Sequence, residues 1–496
     1  MAAAKGLKNI LIKSPTDVVI LSSLRTPVTR AKKGGFRSSY PEELLYHVLR
    51  ATLAANPNLD PARIDDVGIG SVLQELGGMK AGRTAQFYAG FDPRTSFYTI
   101  HRQCSSGLQA VTSVGQSIRD GMIDVGIGGG MESMTRNYGS QAKPTVLWPK
   151  LMESDGEGGV KDARDCMMSM GVTSENVAKR YGVSRADQDK FAAESHQKAS
   201  RAQKEGLFDS EIVPVKTLRA DDEGRDQEIV VDKDDGIRHN ATVESMAKLK
   251  PVFAEDGAST AGNSSQISDG AAATLLMRRS TATELGLGNN IIGKWVATRV
   301  AGCHPDEMGV GPAVAIPKLL DATGVSASEV GIWEINEAFA SQALYCVRKL
   351  GIDESKVNPK GGAIARGHPL GKWNFGNEGS ERTIANWRAL GATGAIQIAS
   401  LLPELKRQSQ EVGVVSMCIG KSTSCPCILT LDTNRYRNGY GPCRHVRKRM
   451  SLNRVAALSH KSSRSAQKVF SLRHCCTWKK SQCLFPYRAA PSSLSA

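Results

Sequence analysis

His101-Arg-Gln-Cys-Ser-Ser-Gly-Leu-Gln-Ala-Val111 sets one cysteine, Cys104, at the mouth of a predicted helix. The preceding Ser96-Phe-Tyr-Thr-Ile100 reads as a short strand, and Leu108, Val111, Val114 and Ile118 recur at helical spacing. Ser105, Ser106 and Gly107 give the first turn small groups. A thiol there sits at the positive end of the helix dipole, which favours the thiolate, the form that attacks carbonyl carbon. A buried structural cysteine would fit the same stretch equally well.

Three later stretches add chemistry. Gly361-Gly-Ala-Ile-Ala-Arg-Gly-His-Pro-Leu-Gly371 puts His368 in a glycine-rich turn, and Val414-Val-Ser-Met-Cys-Ile-Gly420 puts Cys418 at the end of a β-branched strand. Trp333-Glu-Ile-Asn-Glu-Ala-Phe-Ala340 ends a strand with amide and carboxylate groups. A nucleophile, a base and a second proton carrier thus stand in separate stretches.

These four motifs, in this order, resemble the thiolase family, and within it the fungal peroxisomal 3-ketoacyl-CoA thiolases. The resemblance covers roughly residues 17–420. It implies an α/β thiolase fold, with two similar mixed-sheet α/β halves in layers plus an inserted loop domain. The expected layout is an N-terminal extension at 1–16 and an N-terminal half at 17–136 and 256–290. A loop domain covering the acyl-CoA pocket follows at 137–255, then a C-terminal half at 291–420 with an atypical insert at 372–391, and a basic tail at 421–496.

Composition agrees with an enzyme of near-neutral body. The formal charge is +15, but residues 421–496 carry 15 Lys/Arg against Asp432 alone, leaving the other 420 residues near +1. The basic character therefore belongs to the tail and does not mark a nucleic-acid-binding body. Six of 11 cysteines also lie in the tail; the body's Cys104, Cys166, Cys303, Cys346 and Cys418 have no disulfide-framework spacing. No apolar run approaches the ~20 residues needed to span a bilayer. Residues 1–14 show no secretory core, and neither end shows a clear peroxisomal address.

Strand and helix signals alternate along the chain, as in an α/β layer. Residues 17–22, 65–74, 124–130, 270–277, 292–300 and 412–418 read as strands, and 41–55, 184–205, 312–321, 341–350 and 392–405 as helices. The methionine patch Met167, Met168 and Met170 reads as core. The glycine runs Gly128–Gly130 and Gly361-Gly362 lack a nucleotide fingerprint and read as close packing. His304 has no evident metal partner.

The resemblance implies thiolysis of a 3-ketoacyl-CoA in fatty-acid β-oxidation, an acetyl-CoA C-acyltransferase activity. Cys104 would be the acylated nucleophile and His368 its base. Cys418 would protonate the leaving enolate and later deprotonate CoA, as a thiol near its usual pKa of about 8.5 can. Asn336 would hold an oxyanion-stabilising water, and the N–H groups of Cys104 and Gly420 would form a second oxyanion hole. Ser265 and Ala261 match CoA-contacting positions, and Glu337 is either structural or functional. CoA is expected as co-substrate, with no permanent cofactor and no metal, in a homodimer of the peroxisome, or alternatively of the cytoplasm or mitochondrion. The rivals are another condensing enzyme of this fold, such as an acetoacetyl-CoA thiolase or ketoacyl synthase, and an impaired chain acting through its basic tail.

Three departures from the family pattern stand out. Arg366 occupies a position where a small or apolar residue is usual. Residues 372–391 separate the His368 turn from its helix, although looping out such a segment costs only about 3 kcal/mol of closure entropy. From Lys421 the family's glycine-rich turn and last core strand give way to unrelated sequence. Pairing by Cys427-Ile-Leu-Thr-Leu431 in that strand's place is discounted. Both later departures open on Gly-Lys, which can be encoded with a splice-donor sequence. They read either as translated introns or as a real insert and tail. The tail cysteines fit no tetrahedral zinc spacing.

Overall fold

Runs of β-branched and small residues form the strands. In the N-terminal half these are β1 (Val18–Arg25), β2 (Asp66–Gly70), β3 (Ser96–Ile100), β4 (Val125–Ser133) and β5 (Ser268–Arg278). Their order is β3-β2-β4-β5-β1, with β2 parallel to β3 and β4, and β5 antiparallel to β4 and β1. This computed structural model describes residues 5–136, 146–151, 158–221, 223–367, 391–419 and 423–432, all within the compact unit Met1–Arg437.

The C-terminal half repeats the plan with β6 (Gly293–Thr298), β7 (Ile332–Ile335), β8 (Val412–Ile419) and β9 (Thr423–Leu431). The order is β7-β8-β9-β6, and a parallel bridge from Trp333 to Val357 takes the outermost place. Again the second strand runs parallel to its neighbours, and β9 runs antiparallel to β8 and β6. The halves join where β1 pairs with β6, Val18 opposite Trp295 and Ile20 opposite Gly293. The duplication, invisible as a sequence repeat, is explicit in strand order.

Residues 423–431 correct the sequence reading. Far from being foreign to the fold, they fill the place that β5 fills in the other half. Ser416 faces Pro426 and Val415 faces Cys427 on one side, and Thr298 faces Cys427 on the other. Cys425, Cys427, Ile428 and Leu429 are fully buried. An interior strand needs apolar side chains on both faces, and this segment supplies them.

Helices complete five layers. α1 (Pro41–Ala55) covers the outer face of the first half, burying Leu44, Leu45, Val48 and Leu49. Its start is set by Pro41 and by the Glu43 carboxylate, which accepts from Tyr40 N–H at 3.1 Å. The middle layer pairs α2 (Ser106–Arg119) with a long helix over Thr393–Arg407, and both pack on strands of both halves. Both bury most of their residues, including polar ones such as Ser106, Thr112, Gln397 and Ser400. A helix over Gly311–Thr323 covers the outer face of the second half. The segment 5–15 is tied to that face: Ile10 packs with Ile316 and Leu319, and Gly6 N–H donates to Thr323 O at 2.7 Å.

The segment between β4 and β5 contributes α3 (Met170–Arg180), α4 (Arg185–Lys204) and a two-stranded ribbon, Val215–Ala220 with Asp226–Val231. Ser184 caps α4, its hydroxyl accepting from Asp187 N–H at 3.1 Å. Met170 lies in the central core with Cys104, while Met167 and Met168 are half-buried. After α4, the helices Gly311–Thr323, Ala340–Leu350 and Thr393–Arg407 are α5, α6 and α7.

Candidate active site

Cys104 lies buried at the mouth of α2. Gln103 before it has φ 47°, a left-handed conformation that a non-glycine residue keeps only when its surroundings hold it. Ser106 does the holding: its hydroxyl donates to Gln103 O at 2.6 Å and accepts from Arg102 N–H at 2.8 Å. The start of α7 meets this turn backbone to backbone. A Cβ on Gly107 would stand 2.7 Å from Gly391 O, so only glycine fits. Gly128–Gly130 likewise abut Val111, Ala272 and Ala392, which is the close packing expected of that run.

Gly391 is fixed by Glu132, a buried carboxylate that accepts from Gly391 N–H at 3.1 Å, Val72 N–H at 2.9 Å and the Gln74 amide at 2.9 Å. The start of α7 is thereby clamped to the turn after β2.

Cys418, at the end of β8, is also buried, in the same core cluster as Cys104, Met308, Ala338, Phe339 and Ala392. The Asn336 amide Nδ2 reaches its Sγ at 3.5 Å. Asn336 is itself fixed, its N–H donating to Ser416 O at 2.9 Å and its carbonyl accepting from Gln342 Nε2 at 2.7 Å. Burial pushes the Cys418 thiol up to about 11, partly offset by the Asn336 bond. This lies above the ordinary thiol value used in the sequence reading, because the sulfur is fully buried.

Glu337 is structural. Its buried carboxylate accepts from Ser195 Oγ at 2.7 Å, Asn358 Nδ2 at 2.7 Å and Ile364 N–H at 3.1 Å, tying α4 and the 358–364 turns to the strand end. A Cβ on Gly362 would run into that carboxylate.

His368 and Gly420 lie outside the described residues. Each follows directly on a described one, Gly367 and Ile419. Ser265 and Ala261 both line one cavity of about 450 Å³. Ser265 N–H and Oγ both bond Ala338 O, at 3.1 and 2.9 Å, which places this wall one residue layer from the Cys418 cluster. Phe253 lines the cavity too and meets Phe339 edge to face, centroids 6.0 Å apart.

The sequence reading missed the cavity's charge. Arg30, Lys32, Lys33 and Arg238 line it, and Arg30 Nε stands 3.5 Å from Asp235. The basic run from Arg30 to Lys33 was a readable signal; Arg238 is remote in sequence. Arg238, Val252 and Phe253 all come from the segment after β4. Also missed was a buried ion cluster, in which Arg25 pairs with Asp234 at 2.7 Å and Glu211 at 2.7 Å, and Lys360 with Glu211 at 2.5 Å. His304 is exposed, 3.5 Å from Asp162. Among the described residues no His, Cys, Asp and Glu group could hold a metal, and no helix is long and apolar enough to cross a membrane.

Comparison with known proteins agrees with this geometry. The thiolase N-terminal domain model matches residues 18–280, and the thiolase C-terminal domain model matches residues 289–374. The chain is similar to the peroxisomal 3-ketoacyl-CoA thiolase B of Rattus norvegicus, 47% identical over 422 residues, 85% of this chain and 92% of that one. The peroxisomal 3-ketoacyl-CoA thiolase of Yarrowia lipolytica is also 47% identical, over 86% of this chain and 96% of its own. The crystal structure of the dimeric peroxisomal thiolase of Saccharomyces cerevisiae superposes with a TM-score of 0.74 at 41% identity, over 86% of this chain and 100% of that one.

Proposed function

The chain belongs to the thiolase family, and on that premise we propose that it cleaves 3-ketoacyl-CoA with CoA, yielding acetyl-CoA and a shortened acyl-CoA. The relatives named above are peroxisomal enzymes, which puts this activity in peroxisomal fatty-acid β-oxidation. The observation that carries the reading is the Asn336 amide on the buried Cys418 thiol, one residue layer from a cavity rimmed by cations.

In this reading the Cys104 thiolate attacks the ketone carbon, with His368 taking the thiol proton. The bond between the ketone carbon and its α-carbon breaks, leaving the shortened acyl group on Cys104. The electron pair departs as the enolate of acetyl-CoA, which takes a proton from Cys418. The resulting Cys418 thiolate, made a stronger base by burial, then takes the proton of CoA. The CoA sulfur attacks the acyl thioester and frees Cys104. Asn336 serves the developing oxyanion. Arg30, Lys32, Lys33 and Arg238 suit the phosphates of CoA, which is a co-substrate and not a resident group. β3 lies at the end of the strand order, an edge that a second copy would cover in a homodimer.

The test is Cys104→Ala. It should abolish acyl transfer, and the acyl adduct found on the Cys104 peptide in the parent protein, while leaving the thermal midpoint in place. Thiolysis retained by that variant would sink the assignment.

A further inference from the structure

A second polar centre lies behind Asn336, around a small cavity of about 20 Å³ lined by Arg25, Asp234, Glu334, Asn336, Arg366 and Gln397 among others. Three of these bring atoms that have no hydrogen-bond partner among the described residues: both carboxylate oxygens of Glu334, Nε of Arg366 and Oε1 of Gln397, all buried. Arg366 spends Nη1 on Ser400 Oγ at 3.0 Å. Its approaches to carboxylates are 3.6 Å to Glu334 and 3.8 Å to Glu211, too long for direct hydrogen bonds. Leaving such groups unsatisfied in a dry interior is costly, and more so for charged ones. A cavity of this size holds one water, and a water needs two to four polar partners. A charged contact just beyond hydrogen-bond reach is where a bridging water belongs.

We infer that this cavity is a binding site for one ordered water, held by Glu334, Arg366 Nε and Gln397 Oε1, and that Glu334 and Arg366 are positioning residues for the two catalytic stretches. The inference rests on the reading of Asn336 and His368 as catalytic. Glu334 stands on β7 two residues before Asn336, and Arg366 two residues before His368 in the sequence. The water joins strand end to turn, and both to α7 through Gln397, whose Nε2 also donates to Glu334 O at 3.3 Å.

The surroundings explain why an arginine is accommodated where the family pattern favours an apolar residue. Arg25, Lys360 and Arg366 all lie over the Phe208 ring, at 5.4, 5.1 and 5.4 Å from its centroid. Three buried cations therefore face Glu211 and Asp234, and Glu334, when ionised, adds a third negative charge. Burial raises the Glu334 carboxyl to about 7, against Arg366 and Lys360, which favour its charge, with Glu211 and Glu404 opposing. The carboxylate form, which pairs with Arg366 through the water, is the positioning form.

Two measurements test this. A high-resolution crystal structure of the full-length protein should show a single water within hydrogen-bond distance of Glu334, Arg366 and Gln397. An empty cavity, or a direct Arg366–Glu334 hydrogen bond closing it, overturns the inference whether or not the protein is active. In steady-state kinetics Glu334→Gln and Arg366→Met should lower kcat by roughly 10- to 100-fold, the scale of small misplacements at a reacting centre. KM for CoA should hold, Arg366→Lys should recover part of the loss, and Glu334→Gln should lose the rise in kcat through neutral pH. If Cys104→Ala is inactive but Glu334→Gln and Arg366→Met keep the parent kcat and pH profile, the positioning role fails and the thiolase reading stands. If Cys104→Ala remains active, that reading fails, and the crystallographic water alone decides the site.

Discussion

Asn336 shows what a single residue's environment does to its chemistry. Two hydrogen bonds hold its backbone, and its amide donor points at a sulfur that burial keeps protonated. A donor preorganised in a dry site is worth far more than the same donor in water, about 2.7–4 kcal/mol at a transition state. Asn336→Ala should therefore lower kcat by about 100- to 1,000-fold while shifting KM for CoA little, since the cations proposed to meet CoA stand elsewhere. Steady-state rates check this, and an unchanged kcat would remove Asn336 from the chemistry. Cys104, Asn336 and Cys418 stand out in the sequence because their side-chain types suit the proposed reaction and sit in compact motifs, and the fold buries both cysteines in one core cluster with the Asn336 amide on Cys418. Arg238 and the Arg25–Glu211–Lys360 cluster were not legible. Their partners are more than a hundred residues apart, and only the fold makes them neighbours.

At the scale of elements, β9 is where sequence reasoning and structure part. Pro426 carries no N–H and sits between two paired neighbours, a position that argues against an interior strand. No glycine-rich turn precedes it either. The strand survives because the Pro426 carbonyl still accepts from Arg299 N–H at 3.1 Å, with a register shift at Ile428/Leu429. The side chains on both faces find the core. The strands and helices read elsewhere from apolar periodicity lie within a few residues of their positions, since that periodicity reports burial directly, whereas the helices Met79–Tyr88 and Met170–Arg180 and the ribbon Val215–Ala220 with Asp226–Val231 were not singled out. Because β9 lies between β8 and β6, its loss would open two sheet edges and forfeit the burial of Cys425, Cys427, Ile428 and Leu429. At about 1.5–3 kcal/mol for a large apolar side chain, Ile428 and Leu429 alone forfeit about 3–6 kcal/mol, a large share of a whole protein's stability of about 5–15 kcal/mol. A chain ending at Arg437 should melt cooperatively and retain thiolysis. A chain ending at Gly420 should not fold to a soluble protein. Soluble expression and a sharp calorimetric transition from the 1–420 chain would show that β9 is dispensable.

Across the whole molecule, two copies of one strand order enclose a middle layer in which ionisable groups are buried at both ends of the site. Burial raises Glu132 to about 7, Glu334 to about 7 and Asp269 to about 6. The native state therefore binds protons that the unfolded chain has already released. Stability from these three is complete below the ordinary carboxylate range and is lost as pH rises through about 6 to 7. Other carboxyls act the opposite way. Glu211 is held low because Lys360, Arg25 and Arg366 outweigh the cost of burial, and Asp306 is held low by the hydrogen bond from Arg180. Their stability is complete above the ordinary range and is lost as pH falls below it. The two sets cross at the ordinary carboxylate range, so the thermal midpoint should peak near pH ~4 to 5 and decline up to pH ~7, each pKa unit being worth about 1.4 kcal/mol. Scanning calorimetry across that interval reads the slope directly. Glu334→Gln removes one of the three raised groups and should flatten the decline. A midpoint that climbs steadily from pH ~5 to pH ~8 would mean that these carboxyls are ionised in the native state, their buried charge fully met by the donors and cations around them.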